Sequence, residues 1–414
     1  MTNTPTPLHL FLTTEIFHPD QVGGGFLQFV RYASELRENG VIVHVCTALR
    51  SHHGSEREEW NSIEILRFPG CEDVSHRRER ELIVGKTLAL IAESYPGTGC
   101  IQPNGESWGT TLALAKARLK GIPSTFYFSM FPPERDLRGW ARLRASLRIT
   151  LCLLPFRKLI FCSSTLGKAY RSLGHLPAGR MAFVPNGVDL DRFRPARDSA
   201  ERAELRRELG LPDGGRMILY VGGFMPRKGC DLLAEAWKGI EAQHPDAFLV
   251  CVGSQGMRET LRDPGIRAEM EKFQSTITPL VEELASRGRV IMTGEVGSVE
   301  SYYRAADLFV FPSRREGLPN AALEAMASGL PCLFGPFHGF PDEGGEFGHT
   351  GREFRKVPHE VKLWEKGISD ALGDREGTAE LGRNARKWMM RTQDWKECVS
   401  KLALVYRRLC GENR

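Results

Sequence analysis

The chain has 414 residues, 41% of them hydrophobic, too many for one ordinary core and about right for two domains. Its 56 basic residues face 51 acidic ones, and a formal net charge of +5 is too mild to indicate a nucleic-acid partner. The ten cysteines lie at least ten residues apart, which excludes CxxC and zinc-ligand spacing, and no segment approaches the roughly 20 apolar residues of a membrane span, so the expectation is a cytoplasmic protein without a metal site.

Residues 8–14, LHLFLTT, form an apolar run that breaks at His18, Pro19 and the triplet Gly23, Gly24, Gly25, where helical periodicity begins. The helix stops at Asn39-Gly40, and VIVHVCTA follows as a β-branched run suited to a buried parallel sheet. The alternation continues through IEILRF, a helix over 110–119, STFYFSM and KLIFCSS. Between the last two, residues 135–158 read RDLRGWARLRASLRITLCLLPFRK. At about 100° per residue, Leu137, Trp140, Leu143, Leu147, Leu151 and Leu154 share one arc, Arg135, Arg138 and Arg142 another, and Arg144 and Arg148 border the apolar stripe. Two readings stay open for this helix. Either the stripe packs on the first domain's sheet, or the helix lies in the headgroup region of an anionic bilayer.

Arginine-rich sequence interrupts the pattern after Val188, and the domain junction is placed near Pro185 to Asp191. Alternation restarts at Met217 and runs through AFLVCVG, RVIMTGE, DLFVFPS, a helix from about Asn320, and LPCLFG, a second doubly wound pattern. The last stretch is an amphipathic helix with Trp395, Val399, Leu402, Tyr406 and Leu409 on one stripe. The predicted organisation is α/β: a first Rossmann-like domain over 1–187, a second over 188–390, and a final helix within 391–414.

Chemistry concentrates where strands of the second half end. In VGGFMPRKG, residues 221–229, Gly222 and Gly223 permit close backbone approach and Lys228 sets a cation where a diphosphate fits. In REGLPNAALEAMASGLP, seven residues separate Glu316 from Glu324. A helix starting near Pro319 puts Glu316 on the preceding loop and Glu324 about 7 Å further along the axis, with a phosphate-binding helix terminus between them. Each feature also has a plain reading, a tight turn with solvated cations in one case and a dipole-favouring acid in the other. The Gly23 to Gly25 turn opens a similar terminus in the first domain.

Four ordered segments, GGGFLQFVRYASELRENG, VPNGVDLDRF, VGGFMPRKGCDLLAEAW and EGLPNAALEAMASGLP, make the chain resemble the retaining GT-B glycosyltransferases of the large bacterial group 1 family. The resemblance implies a GT-B architecture of two Rossmann-like domains facing across a cleft, with the acceptor bound by the first, the nucleotide sugar by the second, and the last helix crossing back to the first. It carries the diphosphate contact to Lys228, the ribose contact to Glu324 and a place by the donor sugar to Glu316, with Gly317, Leu318 and Asn320 completing the donor loop. Gly223 stands where relatives have an arginine, and Arg227 is the candidate replacement. The strand STFYFSM ends in Ser129-Met130 where many relatives have a histidine, leaving Ser129, Glu106 and His18 as acceptor-side candidates.

The activity implied is retaining transfer of a hexose from a UDP- or GDP-sugar to a sugar or lipid-linked acceptor in polysaccharide, lipopolysaccharide or glycolipid synthesis. No cofactor or obligatory metal beyond the donor is expected, nor any nucleic acid, and the bilayer reading of residues 135–158 would place the enzyme at the inner face of the membrane. The competing expectations are an epimerase or phosphorylase of the same fold, or a non-catalytic partner subunit.

Overall fold

The run LHLFLTT forms strand β1 (Leu8–Thr13), and α1 (Gly24–Glu38) and β2 (Val41–Ala48) complete a parallel βαβ unit with Leu8 opposite Val41. A hairpin of β3 (Arg57–Trp60) and β4 (Ile63–Phe68) turns through Asn61 and Ser62, both at positive φ. Then come α2 (His76–Ser94), β5 (Gly99–Pro103), α3 (Trp108–Leu119), β6 (Thr125–Phe128), α4 (Gly139–Leu153), β7 (Lys158–Phe161), α5 (Ser164–Gly174) and β8 (Met181–Phe183). The strand order is β3-β4-β2-β1-β5, and a parallel bridge from Ile101 to Ser124 leads on to β6-β7-β8. Every neighbouring pair except β3 and β4 is parallel.

This computed structural model describes residues 6–20, 24–72, 74–105, 107–132, 137–174, 176–254, 264–339 and 351–411. The chain divides into two units, one of Met1–Asn186 with Lys396–Arg414, the other Gly187–Trp395. The second unit contains α6 (Ser199–Glu208), β9 (Arg216–Val221), α7 (Cys230–Gln243), β10 (Ala247–Val252), α8 (Pro264–Ser286), β11 (Val290–Gly294), α9 (Glu300–Ala305), β12 (Leu308–Phe311), α10 (Asn320–Ala327), β13 (Cys332–Phe334), β14 (Arg355–Lys356), α11 (Val361–Gly373) and α12 (Arg375–Thr392). Its sheet is wholly parallel in the order β11-β10-β9-β12-β13-β14. The order reverses between β9 and β12, and ligands of doubly wound sheets bind outside the carboxyl ends of such strands. Strands β9, β10 and β12 are buried on both faces, and Trp237 of α7 and Trp364 of α11 fill the core over one of them.

The last helix, α13 (Trp395–Cys410), starts after α12 has run to Thr392, four residues beyond the 391 boundary read from sequence. From Lys396 onward it belongs to the first unit. Its buried Tyr406 hydroxyl donates to Gln102 Oε1 at 2.9 Å, and the Arg407 guanidinium lies against Gly40.

Helix α4 overturns the packing reading of its leucines. Ala145, Ser146, Ile149, Cys152 and Leu153 face inward, while Leu137, Trp140, Leu143, Leu147, Leu151 and Leu154 are all exposed. Small residues allow a close approach to α5, where a Cβ on Gly174 would stand 2.9 Å from Ile149 Cγ2. The tryptophan and leucines of the stripe are left pointing outward. Residues 133–136 lie outside the described residues, so Arg135 does too. No helix among the described residues is long and apolar enough to cross a membrane.

Candidate donor-binding site

Strand β9 ends at Val221, and Gly222 keeps pairing, its N–H donating to Val252 O at 2.9 Å, before Phe224 N donates to Ser254 O at 2.9 Å. Residues 226–228 then form one 3-10 turn that ends on Gly229 at φ 70. A Cβ on Gly229 would overlap the Pro312 carbonyl oxygen, so only glycine lets this turn press against the segment leaving β12. Two backbone-directed bonds close the contact. Arg314 N–H donates to Arg227 O at 2.7 Å, and the Ser313 hydroxyl lies 3.0 Å from the same oxygen. The Arg314 guanidinium grips Asp231 at the start of α7 with two bonds of 2.8 Å.

The zipped loops bring Arg227, Lys228 and Glu316 together. Glu316 Oε1 is 2.9 Å from Arg227 Nη1, 2.7 Å from Lys228 Nζ and 2.7 Å from Ser313 Oγ. The Ser313 hydroxyl has one proton, which it donates to Glu316 or to Arg227 O in turn. Glu316 is buried, and the Lys228 ammonium also lies 4.8 Å from the centroid of the Phe311 ring. Burial pushes the Lys228 amine below its ordinary range, opposed by the adjacent Glu316 carboxylate and reinforced by Arg227. Two cations against one carboxylate leave a net positive charge in a poorly hydrated place at the switch point, an arrangement suited to an anion.

Glu324 lies one turn inside α10 and is also buried. The hydroxyl of the fully buried Tyr303 stands 3.1 Å from Glu324 Oε2 and 3.1 Å from Ala321 O, fixing the carboxylate's side of the helix. The helix N-cap is Pro319, which makes no side-chain capping bond. Gly317 and Leu318 are buried on the preceding loop, and Asn320 is the first helical residue. Gly223 takes an ordinary backbone conformation, and a Cβ there would meet only Met225 Cε at 3.4 Å and Ser254 O at 3.9 Å, so nothing in the fold demands glycine.

The first-unit candidates are less gathered. Gly24 and Gly25 open α1, Ser129 is half-buried directly after β6, and Gly23 and Glu106 lie outside the described residues. His18 stacks on Trp60 with ring centroids 4.4 Å apart and sits 3.7 Å from Glu58. Sequence reasoning passed over Glu15, a buried acid just beyond β1 that accepts from Arg80 Nε at 2.6 Å. It also passed over Ser313 and Tyr303. The signal for Glu15 and Ser313 was their place at strand ends, whereas Tyr303 carried none. Among the described residues, Asp20, His52 and His53 bring their ligand atoms within 4.8 Å of one another. His53 Nδ1, however, accepts the Arg50 N–H at 3.0 Å, which puts the ring proton on Nε2, the atom facing Asp20. Arg50 is 3.9 Å from the same carboxylate, so the cluster is an ion-pair network rather than a cation site.

The comparisons with known proteins converge on one group. The family described as "Glycosyl transferases group 1" matches residues 201–388, and that described as "Glycosyltransferase Family 4" matches residues 22–192. The GDP-mannose-dependent alpha-(1-6)-phosphatidylinositol monomannoside mannosyltransferase of Mycobacterium tuberculosis is 31% identical over 236 residues, 55% of this chain and 56% of that protein. The chain thus spans about half the length of the curated relatives it matches. Among solved structures, sucrose-phosphate synthase of Thermosynechococcus elongatus superposes with a TM-score of 0.73 at 22% identity, covering 97% of this chain and 99% of that one. HepE of Anabaena, solved with UDP and glucose, gives 0.71 at 17% identity over 96% and 98%. These likenesses show the GT-B fold of two Rossmann-like domains. With the two family matches together spanning most of its length, the chain belongs to the group 1 GT-B glycosyltransferases.

Proposed function

We propose that the protein is a retaining glycosyltransferase that moves a hexose from a nucleotide diphosphate sugar, UDP- or GDP-linked, to a hydroxyl of a sugar or lipid-linked acceptor. The observation that carries this reading is the pair of cations, Arg227 and Lys228, held by Glu316 at the switch point of the second sheet. A diphosphate entering there competes with Glu316 for both cations. The acceptor oxygen bonds to the anomeric carbon on the face from which the diphosphate departs. As the bond between the sugar and the diphosphate breaks, its electron pair goes to the leaving oxygen, which takes up the acceptor's proton. Arg227 and Lys228 stabilise the charge growing on that oxygen, a role that does not depend on a resident metal, so turnover should survive chelation. Glu324, anchored by Tyr303, binds the ribose hydroxyls, and the first unit receives the acceptor. The names of relatives bracket the donor: one is GDP-mannose-dependent, and another was solved with UDP and glucose.

Thermal shift with UDP-, GDP- and ADP-sugars tests the reading, because a donor at 100 times its dissociation constant stabilises by about 2.7 kcal/mol. A donor that stabilises the protein and releases nucleoside diphosphate supports transfer. No response to any donor removes the proposal. Turnover requiring only inorganic phosphate, or sugar inversion without an acceptor, assigns the chain to the phosphorylase or epimerase alternative.

A further inference from the structure

Helix α4 exposes what an amphipathic helix ordinarily hides. Trp140 is 80% exposed, Leu143 57% and Leu147 59%, with Leu137, Leu151 and Leu154 continuing the row on the side opposite the buried Ala145, Ile149 and Cys152. From Trp140 to Leu154 the row extends about 21 Å at 1.5 Å per residue. The neighbouring α3, whose Arg118 Nη1 donates to Leu154 O at 3.2 Å, carries a second exposed set in Trp108, Leu112 and Leu119. Isolated surface leucines need no explanation, but a full-length stripe does.

The charge beside the stripe selects its occupant. Residues 137–188 contain nine lysines and arginines and no aspartate or glutamate, in a chain whose totals of 56 and 51 are nearly balanced. Arg144 and Arg148 flank the stripe on the helix itself, where their stems can lie along apolar surface with the guanidiniums at phosphate level. A tryptophan near one end of an exposed leucine row suits a membrane interface. A second copy of the chain would set these arginines against one another, which disfavours self-association through this face.

We infer that the α4 face is a docking surface for an anionic lipid bilayer, with Trp140 and the leucines entering the headgroup boundary and the arginines meeting lipid phosphates. This deepens the proposed function by placing its acceptor at a membrane surface, but binding needs no nucleotide, so its test is separate from that of sugar transfer. The full chain is sedimented with vesicles of phosphatidylcholine alone and with increasing phosphatidylglycerol, at low and high salt. Binding should rise with the anionic lipid and weaken with salt. Arg144→Gln with Arg148→Gln should lower the partition coefficient about thirtyfold, and Leu143→Asn with Leu147→Asn should abolish the binding that survives high salt. Leu143, Arg144 and Leu147 are exposed and Arg148 is half-buried, so melting temperatures close to wild type are expected. No binding to anionic vesicles at low salt overturns the inference. So does binding that neither variant alters, or a wild-type dimer that either variant dissolves.

Discussion

Replacing Lys228 with methionine separates the charge of the site from its packing. The stem of Lys228 is mostly buried, and its ammonium sits 2.7 Å from Glu316 and 4.8 Å from the Phe311 ring centroid. Methionine keeps an apolar chain over Phe311 and removes the cation. Glu316 retains Arg227 at 2.9 Å and Ser313 at 2.7 Å, so its carboxylate is not left unpaired. The burial that depresses the Lys228 amine also means that its charge is held at a cost, which offsets the loss of the ion pair. The expected stability change is about 1 kcal/mol, a melting shift of roughly 2–4 °C. Loss of one preorganised charge at a leaving diphosphate costs about 3 to 4 kcal/mol of barrier, roughly a hundred- to thousand-fold in rate. Turnover is read as nucleoside diphosphate release from the donor that gives the largest thermal shift, with melting curves on the same samples. Turnover within threefold of wild type, or a rate loss matched by loss of fold, would mean that Lys228 does not stabilise the leaving diphosphate.

Glu324→Ala should weaken nucleoside diphosphate binding by about 1.5–3 kcal/mol, the worth of a charged hydrogen-bond acceptor, whereas Glu316→Ala should slow turnover without weakening nucleoside diphosphate affinity. Calorimetric titration of both variants decides between the two roles, and equal affinity of Glu324→Ala and wild type removes the ribose assignment. Gly229→Ala should lower stability by more than about 2 kcal/mol, because φ 70 is unfavourable for alanine and its Cβ would collide with the Pro312 carbonyl; urea unfolding measures it. Burial pushes the His44 imidazole from its ordinary 6.5 down to about 4. Above pH 6.5 both folded and unfolded chains hold it neutral, but between pH 6.5 and 4 only the unfolded chain takes up the proton, so folded stability falls by about 3 kcal/mol across that window. His44→Phe, which preserves the stack on Phe11, should flatten this part of the curve in unfolding titrations at pH 7 and 4.5.

The central strands of the sheets were legible because they are buried and read as apolar, β-branched runs closed by glycine or proline. The runs ILYV and FLVCV became the central β9 and β10, with every residue of β10 buried and β9 half-buried only at its two ends. Helix α2 escaped notice because its first turns, HRRERE, are almost entirely charged and its buried apolar residues, Ile83, Val84 and Leu88 among them, come late. For α4 the periodicity located an apolar stripe correctly, but no periodicity states which side of a helix the protein covers. The inward face sets Ile149 and Leu153 among the small Ala145, Ser146 and Cys152, a weaker apolar signal than the row of leucines. At the candidate site, local sequence together with the family resemblance singled out Lys228, Glu316 and Glu324, of which the fold brings Lys228 and Glu316 into contact. Their partners were not legible, since Ser313 acquires its role from the loop fold and Tyr303 reaches Glu324 across 21 residues.

Proton NMR of donor turnover distinguishes retention from inversion by following the anomeric signal of the first sugar released or transferred from an α-linked nucleotide sugar. Retaining transfer predicts that the α-anomer forms first and that Lys228→Met suppresses it by the same factor as nucleoside diphosphate release. A β-anomer appearing first, or a rate unaffected by Lys228→Met, would contradict the account.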